Sequence, residues 1–103
     1  MTERKKLLTL GGGIALIALF LVIRDTPDGG EIFRREGCIS CHSFKGQGAG
    51  AGPELTGVTS RRSDSWIRDQ IKDPRLHDPD SRMPAFGHLS RREIRALIAY
   101  LKS

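Results

Sequence analysis

Aromatic side chains are scarce in this sequence, which has one Trp, one Tyr and four Phe among its 103 residues. Hydrophobic residues of all kinds make up only 38% of the chain. A chain of this length forms at most one domain, and one so poor in large apolar side chains is thin for a self-sufficient core. We therefore expect an additional group to stabilise the fold.

Several common patterns are missing. No segment alternates polar and apolar residues as a half-buried strand does, and no internal repeat is present. The glycine-rich stretch 45–57 fits neither G-x-G-x-x-G nor a phosphate-binding loop that ends in Gly-Lys-Ser/Thr. We interpret this stretch as a loop, and we expect no nucleotide site.

The charge is distributed unevenly. The net charge is +5, yet residues 25–103 have 13 Lys or Arg and 11 Asp or Glu. No basic stripe with interleaved aromatic residues accompanies this small excess. We expect no nucleic-acid partner.

An uncharged run of 17 residues occupies positions 7–23. As a helix it would be roughly 25 Å long, close to the ~30 Å hydrocarbon core of a bilayer. Arg4, Lys5 and Lys6 precede it, which keeps the N-terminus in the cytoplasm by the positive-inside rule. The sequence thus predicts a bacterial inner-membrane protein with one pass, whose remaining residues lie on the periplasmic or extracytoplasmic side.

Two alternatives to this anchor stay open, a cleaved signal peptide and a buried soluble helix. A signal peptide usually has a shorter apolar stretch and a small-x-small cleavage site, and residues 20–28 contain no such site. The glycine triplet at 11–13 would let a neighbouring membrane helix approach closely, which favours a partner subunit.

The predicted organisation is a cytoplasmic tip and anchor at 1–24, a linker at 25–30, and an outer domain at 31–103. The outer domain is predicted to be all-α with long loops. Three helices are expected: one over 31–37 with Ile32 and Phe33 inward, one over 63–72 capped by Ser63, and a last one after the capping box that begins at Ser90. In the last helix, Ile94, Leu97, Ile98 and Leu101 follow at i, i+3, i+4 and i+7.

Both cysteines lie in the stretch Cys38-Ile39-Ser40-Cys41-His42, for which three chemistries are open. Structural zinc needs four ligands in two close pairs, and His77 and His88 are too far apart to supply the second pair. A redox dithiol or a disulfide would use the same C-x-x-C spacing, but a thioredoxin-like motif lies in a βαβ unit and no strands are evident. The third chemistry is covalent attachment of a haem.

C-x-x-C-H is the attachment signature of c-type haem. In a helical turn, Cys38 and Cys41 lie on one face, so each can form a thioether with one haem vinyl group, and His42 then reaches the iron as proximal ligand. Attachment takes place outside the bacterial cytoplasmic membrane, which is where the charge pattern puts this segment. The two inferences are independent, and they agree.

A haem that transfers electrons usually has both axial positions filled. Met83 is the favoured sixth ligand because Pro84 disfavours helix at this position, so Met83 has no helix face to pack. His77, His88 and an open iron are the alternatives.

Taken together, these motifs resemble class I cytochrome c, with one covalent haem among three main helices and long loops and an N-terminal anchor. The resemblance covers nearly all of residues 29–103. It is carried by "GGEIFRREGCISCH", "GPEL", "RMPAF" and "LSRREIRALIAYL". It implies that the haem supplies the missing stabilisation and that the backbone of the glycine-rich loop packs close to it.

The resemblance also implies roles for particular residues. Gly29 and Phe33 would form the helix crossing, with Leu97 and Tyr100 against the first helix. The carbonyl of Pro53 would accept a hydrogen bond from His42, and Leu55 would contact the porphyrin. The haem propionates would be held by Trp66 and one of Arg61 or Arg62, although Trp66 could equally be a core residue.

With His42 and Met83 on the iron, no site is left for a substrate, so we expect an electron carrier rather than an enzyme. The short linker and the glycine triplet favour a subunit of a respiratory or photosynthetic complex, with other redox proteins as partners. The C-terminal pattern resembles cytochrome domains associated with terminal oxidases. The alternatives are a membrane-tethered shuttle, or a haem sensor or peroxidase-like enzyme with a labile sixth ligand.

Overall fold

The computed structural model describes residues 26–103. Within these residues there are four α-helices: α1 (Gly29–Arg35), α2 (Val58–Arg61), α3 (Asp64–Lys72) and α4 (Arg91–Leu101). Two single 3₁₀ turns, Cys38–Ser40 and Pro74–Leu76, lie between them. Within this part of the chain, none of the helices has the length and apolar character needed to cross a bilayer. The predicted anchor at 7–23 lies outside the described residues.

The starts of α3 and α4 are fixed by serine caps, as the sequence predicts. The Ser63 hydroxyl accepts a hydrogen bond from the Trp66 amide at 3.1 Å. At α4, the amide of Glu93 donates to the Ser90 hydroxyl, and the Glu93 carboxylate accepts from the Ser90 amide, which completes the capping box. Helix α3 ends at Lys72, before Asp73 and Pro74, also as predicted.

Two expectations for the N-terminal half need correction. Helix α1 begins at Gly29, inside the stretch predicted as a linker, and Asp28 caps it by accepting from the amides of Gly30 and Glu31. The purely helical expectation also missed an antiparallel ladder between β1 (Ser43–Phe44) and β2 (Gln47–Gly48). Strands of two residues are too short to show alternation in the sequence.

Helix α1 crosses α4 at Gly29. A Cβ atom on Gly29 would lie 2.8 Å from the Cβ of Tyr100 and would overlap the carbonyl oxygen of Ala96. The helix begins with two glycines, which have low helix propensity. They are needed here because the crossing leaves no room for a side chain. Next to the crossing, the rings of Phe33 and Tyr100 lie 5.6 Å apart, and those of Phe44 and Tyr100 lie 5.1 Å apart.

The helices enclose one small apolar core. All four apolar positions predicted for α4 are buried, as are Ile32 and Phe33 of α1, each 2% exposed. The cluster consists of Ile32, Phe33, Phe44, Val58, Ile67, Ile71, Leu89, Ile94, Leu97, Ile98 and Leu101. Trp66 is half-buried at the edge of this core.

Candidate functional site

The C-x-x-C-H motif folds into one tight helical turn directly after α1. Gly37 enters it in the left-handed conformation, at φ 78°. The amides of Cys41 and His42 then both donate to the carbonyl oxygen of Cys38, at 3.2 and 2.9 Å. The two cysteines are therefore one turn apart on the same side, as the i and i+3 spacing predicts. Cys38 is half-buried and Cys41 is exposed, and both are free thiols.

Two properties of this turn bear on the alternatives of a reactive dithiol and a zinc site. Burial raises the pKa of the Cys38 thiol, whereas a reactive dithiol needs a lowered one. Within residues 26–103, no three His, Cys, Asp or Glu side chains converge as a zinc site would require.

His42 is oriented by the chain that follows it. Its Nδ1 atom lies 2.7 Å from the carbonyl oxygen of Pro53, which can only accept, so Nδ1 is the donor. The other ring nitrogen, Nε2, is then left with its lone pair for a metal. The Gly52 amide donates to the carbonyl oxygen of Cys41 at 2.7 Å, and this bond ties the loop to the motif.

The glycine-rich loop lies against the motif itself. A Cβ atom on Gly52 would be 2.8 Å from Cε1 and 2.9 Å from Nδ1 of His42. Gly48 has a φ of 107°, and a Cβ atom on it would overlap the carbonyl oxygen of His42. The amide of the next residue, Ala49, donates to the carbonyl oxygen of Ile39 at 3.1 Å. Two of the loop glycines are thus required by their closeness to His42, a contact that the sequence did not indicate.

A clamp of polar groups holds the segment from Pro53 to Thr56. The Glu54 carboxylate accepts from the hydroxyls of Ser43 and Thr56 and from the Thr56 amide. These hydrogen bonds, that from Ser43 first, lower the pKa of Glu54. The Arg61 guanidinium donates to the carbonyl oxygens of Thr56 at 2.9 Å and Glu54 at 3.2 Å. Leu55, half-buried, donates its amide to the carbonyl of Ser43 at 2.8 Å.

Met83 lies in a second group of residues that centres on α3. Its thioether sulfur is 3.5 Å from Nε2 of Gln70, which donates to it. The other end of the Gln70 amide contacts Nδ1 of His77 at 2.8 Å, and the His77 ring stacks on Trp66 at 4.2 Å with an interplanar angle of 6°. Met83 is half-buried, and Pro84 follows it in an irregular segment.

The two arginines considered for the propionates differ. Arg61 is engaged with the loop carbonyls described above. Arg62 lies over Trp66, with its Cζ atom 4.3 Å from the ring centroid. Trp66 is therefore held between Arg62 and His77. His88 is elsewhere, 3.1 Å from the Glu36 carboxylate.

Sequence reasoning missed two residues of these groups. Gln70 follows Trp66 by four positions, so the helical period alone would have put them on one face. Glu54 had no comparable signal, because a lone carboxylate in a loop does not reveal that Ser43 and Thr56 donate to it.

Comparison with known proteins gives two matches. A family model described as Cytochrome c matches residues 27–103. Cytochrome c oxidase subunit 2 of Alkalihalophilus pseudofirmus (strain ATCC BAA-2126 / JCM 17055 / OF4) is 34% identical to this chain over 83 residues. That alignment covers 73% of this chain but only 24% of the length of the relative.

Proposed function

Since this chain belongs to the cytochrome c family, we propose that it carries single electrons on one haem c in a class I cytochrome c domain. Cys38 and Cys41 would form the thioethers, and His42 and Met83 would bind the iron. The observation that supports this assignment most strongly is the hydrogen bond from His42 Nδ1 to the carbonyl of Pro53. It orients a histidine that immediately follows two free thiols of one turn.

The residues present are of the types that bind a haem c. Two free thiols at i and i+3 match the two vinyl groups of one haem, and the imidazole is held in the tautomer that leaves Nε2 for the iron. The thioether of Met83 is a soft ligand that favours the ferrous state and raises the potential. When bound, the haem supplies a one-electron couple between ferric and ferrous iron.

The protein's own contribution is to hold these donors in place. Pro53 accepts the Nδ1 proton and so fixes the plane of the His42 ring. Gln70 donates to Met83 and limits the rotation of its sulfur. Trp66 lies on the same face of α3 as Gln70, and Arg62, which precedes α3, lies over the Trp66 ring; we assign Trp66 and Arg62, rather than Arg61, to the propionates. Leu55, in the glycine-rich loop, would make an apolar contact with the porphyrin.

If His42 and Met83 both bind the iron, they would leave no ligand position on it for a substrate. The function is therefore electron transfer rather than catalysis. Exposure of the reduced native protein to carbon monoxide tests this. A closed site resists the ligand, so an unchanged spectrum supports the carrier. Ready binding would instead indicate a sensor or a peroxidase-like enzyme.

We further propose that the chain acts as a subunit of a respiratory electron-transfer complex, or of a photosynthetic one. The support is its similarity to an oxidase subunit, of which it spans 24%. Purification from membranes in mild detergent tests the assignment: a red band that co-migrates with other redox subunits is expected. A red protein that migrates alone would favour a tethered shuttle.

The membrane attachment is a separate proposal and is supported by sequence alone. Residues 7–23 would span the inner membrane with the N-terminus in the cytoplasm, and the haem domain would lie on the periplasmic side. The full chain should resist extraction by alkaline carbonate, whereas a variant that lacks residues 1–24 should be extracted. Release of both forms would contradict an anchor.

A further inference from the structure

A groove of about 710 Å³ runs between α3 and α4. Its lining combines five cations with a single carboxylate and a narrow apolar floor. The residues are Asp64, Arg68, Lys72, Arg91, Ile94, Arg95, Ile98, Ala99 and Lys102. None of them belongs to the groups around His42 or Met83.

The groove concentrates the positive charge of the domain. Residues 26–103 have 13 Lys or Arg and 10 Asp or Glu, so the part outside the groove is close to neutral. The one carboxylate, Asp64, is engaged by Lys102 at 2.8 Å, and Arg68 contacts Asp69 at 3.6 Å. Within the described residues, Lys72, Arg91 and Arg95 form no ion pair.

The groove faces away from the candidate haem site. On α3, Asp64, Arg68 and Lys72 follow at intervals of four and form one stripe. Trp66 and Gln70 form another stripe, which is rotated from the first by about 200° around the helix. A partner in the groove would therefore leave the haem side of α3 uncovered.

We propose that this groove is a docking surface for an extended acidic segment of a partner protein. Its cations extend along α4 from Arg91 to Lys102, about 16 Å at the rise of an α-helix. A single anion would contact only part of that length, whereas several carboxylates along one segment would match it. A flat lipid surface does not fit a concave groove between two helices. Guanidinium groups such as Arg91 and Arg95 also bind carboxylates in a bidentate manner.

The position of Arg91 adds a physical argument. It is the first residue of α4, where the helix dipole disfavours a cation. Its charge therefore does not stabilise the helix that carries it. A bound carboxylate would find there both the guanidinium and the positive end of the dipole.

The test uses the full-length, haem-loaded protein in detergent and a fluorescently labelled glutamate-rich peptide long enough to span the groove. Binding is measured by anisotropy at low and high ionic strength. The double variant Arg91→Gln/Arg95→Gln should weaken binding about fivefold, and high salt should weaken it further. The matched control, Arg34→Gln/Arg75→Gln, removes the same charge from exposed positions outside the groove and should bind like the native protein.

Four results would overturn the proposal. The first two are an absence of peptide binding and an equal loss of peptide affinity in both double variants. The third is displacement of the peptide by low concentrations of inorganic phosphate. The fourth is tighter binding to anionic phospholipid vesicles than to the peptide, with the same dependence on Arg91 and Arg95. The absorption spectrum and midpoint potential of each sample are recorded in parallel. The peptide measurement then tests the docking surface, and the spectrum and potential test the redox assignment, so either can be contradicted without the other.

Discussion

The imidazole of His42 lies against the loop that follows it: its Nδ1 atom is 2.7 Å from the carbonyl oxygen of Pro53, and the ring lies against the backbone of Gly52. This relationship ties the glycine-rich loop to the motif that precedes it. The loop thus contacts a ring whose orientation matters for a metal. A substitution in the loop should therefore alter the orientation of His42, although His42 itself is unchanged.

Gly52→Ala tests this relationship. A methyl group at Gly52 would lie within 2.9 Å of the His42 ring, so the ring must move and the bond to Pro53 must weaken. We expect a loss of about 1–3 kcal/mol in the free energy of unfolding, together with a shifted midpoint potential. Gly50→Ala is the control, because no atom lies within 4 Å of its Cβ. Equal effects of the two variants would contradict the contact.

Gly29→Ala tests the helix crossing. Helix propensity alone predicts a gain of about 1 kcal/mol, because alanine is favoured over glycine inside a helix. The overlap with Ala96 predicts the opposite, a loss of about 3 kcal/mol. Urea unfolding measures the difference. Gly87→Ala, whose Cβ would be 3.8 Å from its nearest neighbour, should have little effect. A stabilised Gly29→Ala variant would show that the helices do not meet there.

Arg61→Gln tests the clamp on the loop. The variant loses the donors to the carbonyls of Thr56 and Glu54, so the loop should open more often. Amide exchange at Leu55, whose amide bonds to Ser43, should accelerate about tenfold. Arg75→Gln removes the same charge without touching the loop and should leave the exchange rate unchanged. An unchanged rate in Arg61→Gln would remove Arg61 from the clamp.

The lowered pKa of Glu54 predicts a pH dependence of stability. Its folded pKa is depressed from 4.5, chiefly because Ser43 donates to the carboxylate. The stabilisation is therefore complete above the unfolded pKa and is lost as the pH falls through the folded one. Stability of Glu54→Gln should fall less steeply with acid than that of the native protein. If the two proteins lose stability in parallel as the pH falls, Glu54 makes no such contribution to stability. The lowered pKa of Glu93 affects the native protein and the variant equally, so it does not contribute to the difference.

The parts that the sequence predicts well are those determined by local chemistry. Serine caps at Ser63 and Ser90 fix two helix starts, and the i, i+3 spacing of Cys38 and Cys41 fixes their turn. Each depends on residues only a few positions apart. The amphipathic period of α4 is equally local, and all its apolar positions are buried.

The parts that local patterning does not indicate depend on contacts between distant residues. Gly29 is helical because α4 packs against it, 67 positions along the chain, which overrides its low propensity; only the resemblance to class I cytochrome c implied this crossing. The donation from Gln70 to Met83 likewise joins a helix to an irregular segment. The charged groove requires the pairing of α3 with α4, so counting charges along the sequence could not reveal it.

The central proposal is that His42 and Met83 would both bind the haem iron, and Met83→Ala tests it most directly. The native protein should show the thioether-to-ferric charge-transfer band, and the variant should lose it, bind carbon monoxide when reduced, and have a lower midpoint potential. His77→Ala and His88→Ala should keep the band. An unchanged spectrum and potential in Met83→Ala, with loss of the band in either histidine variant, would contradict the account.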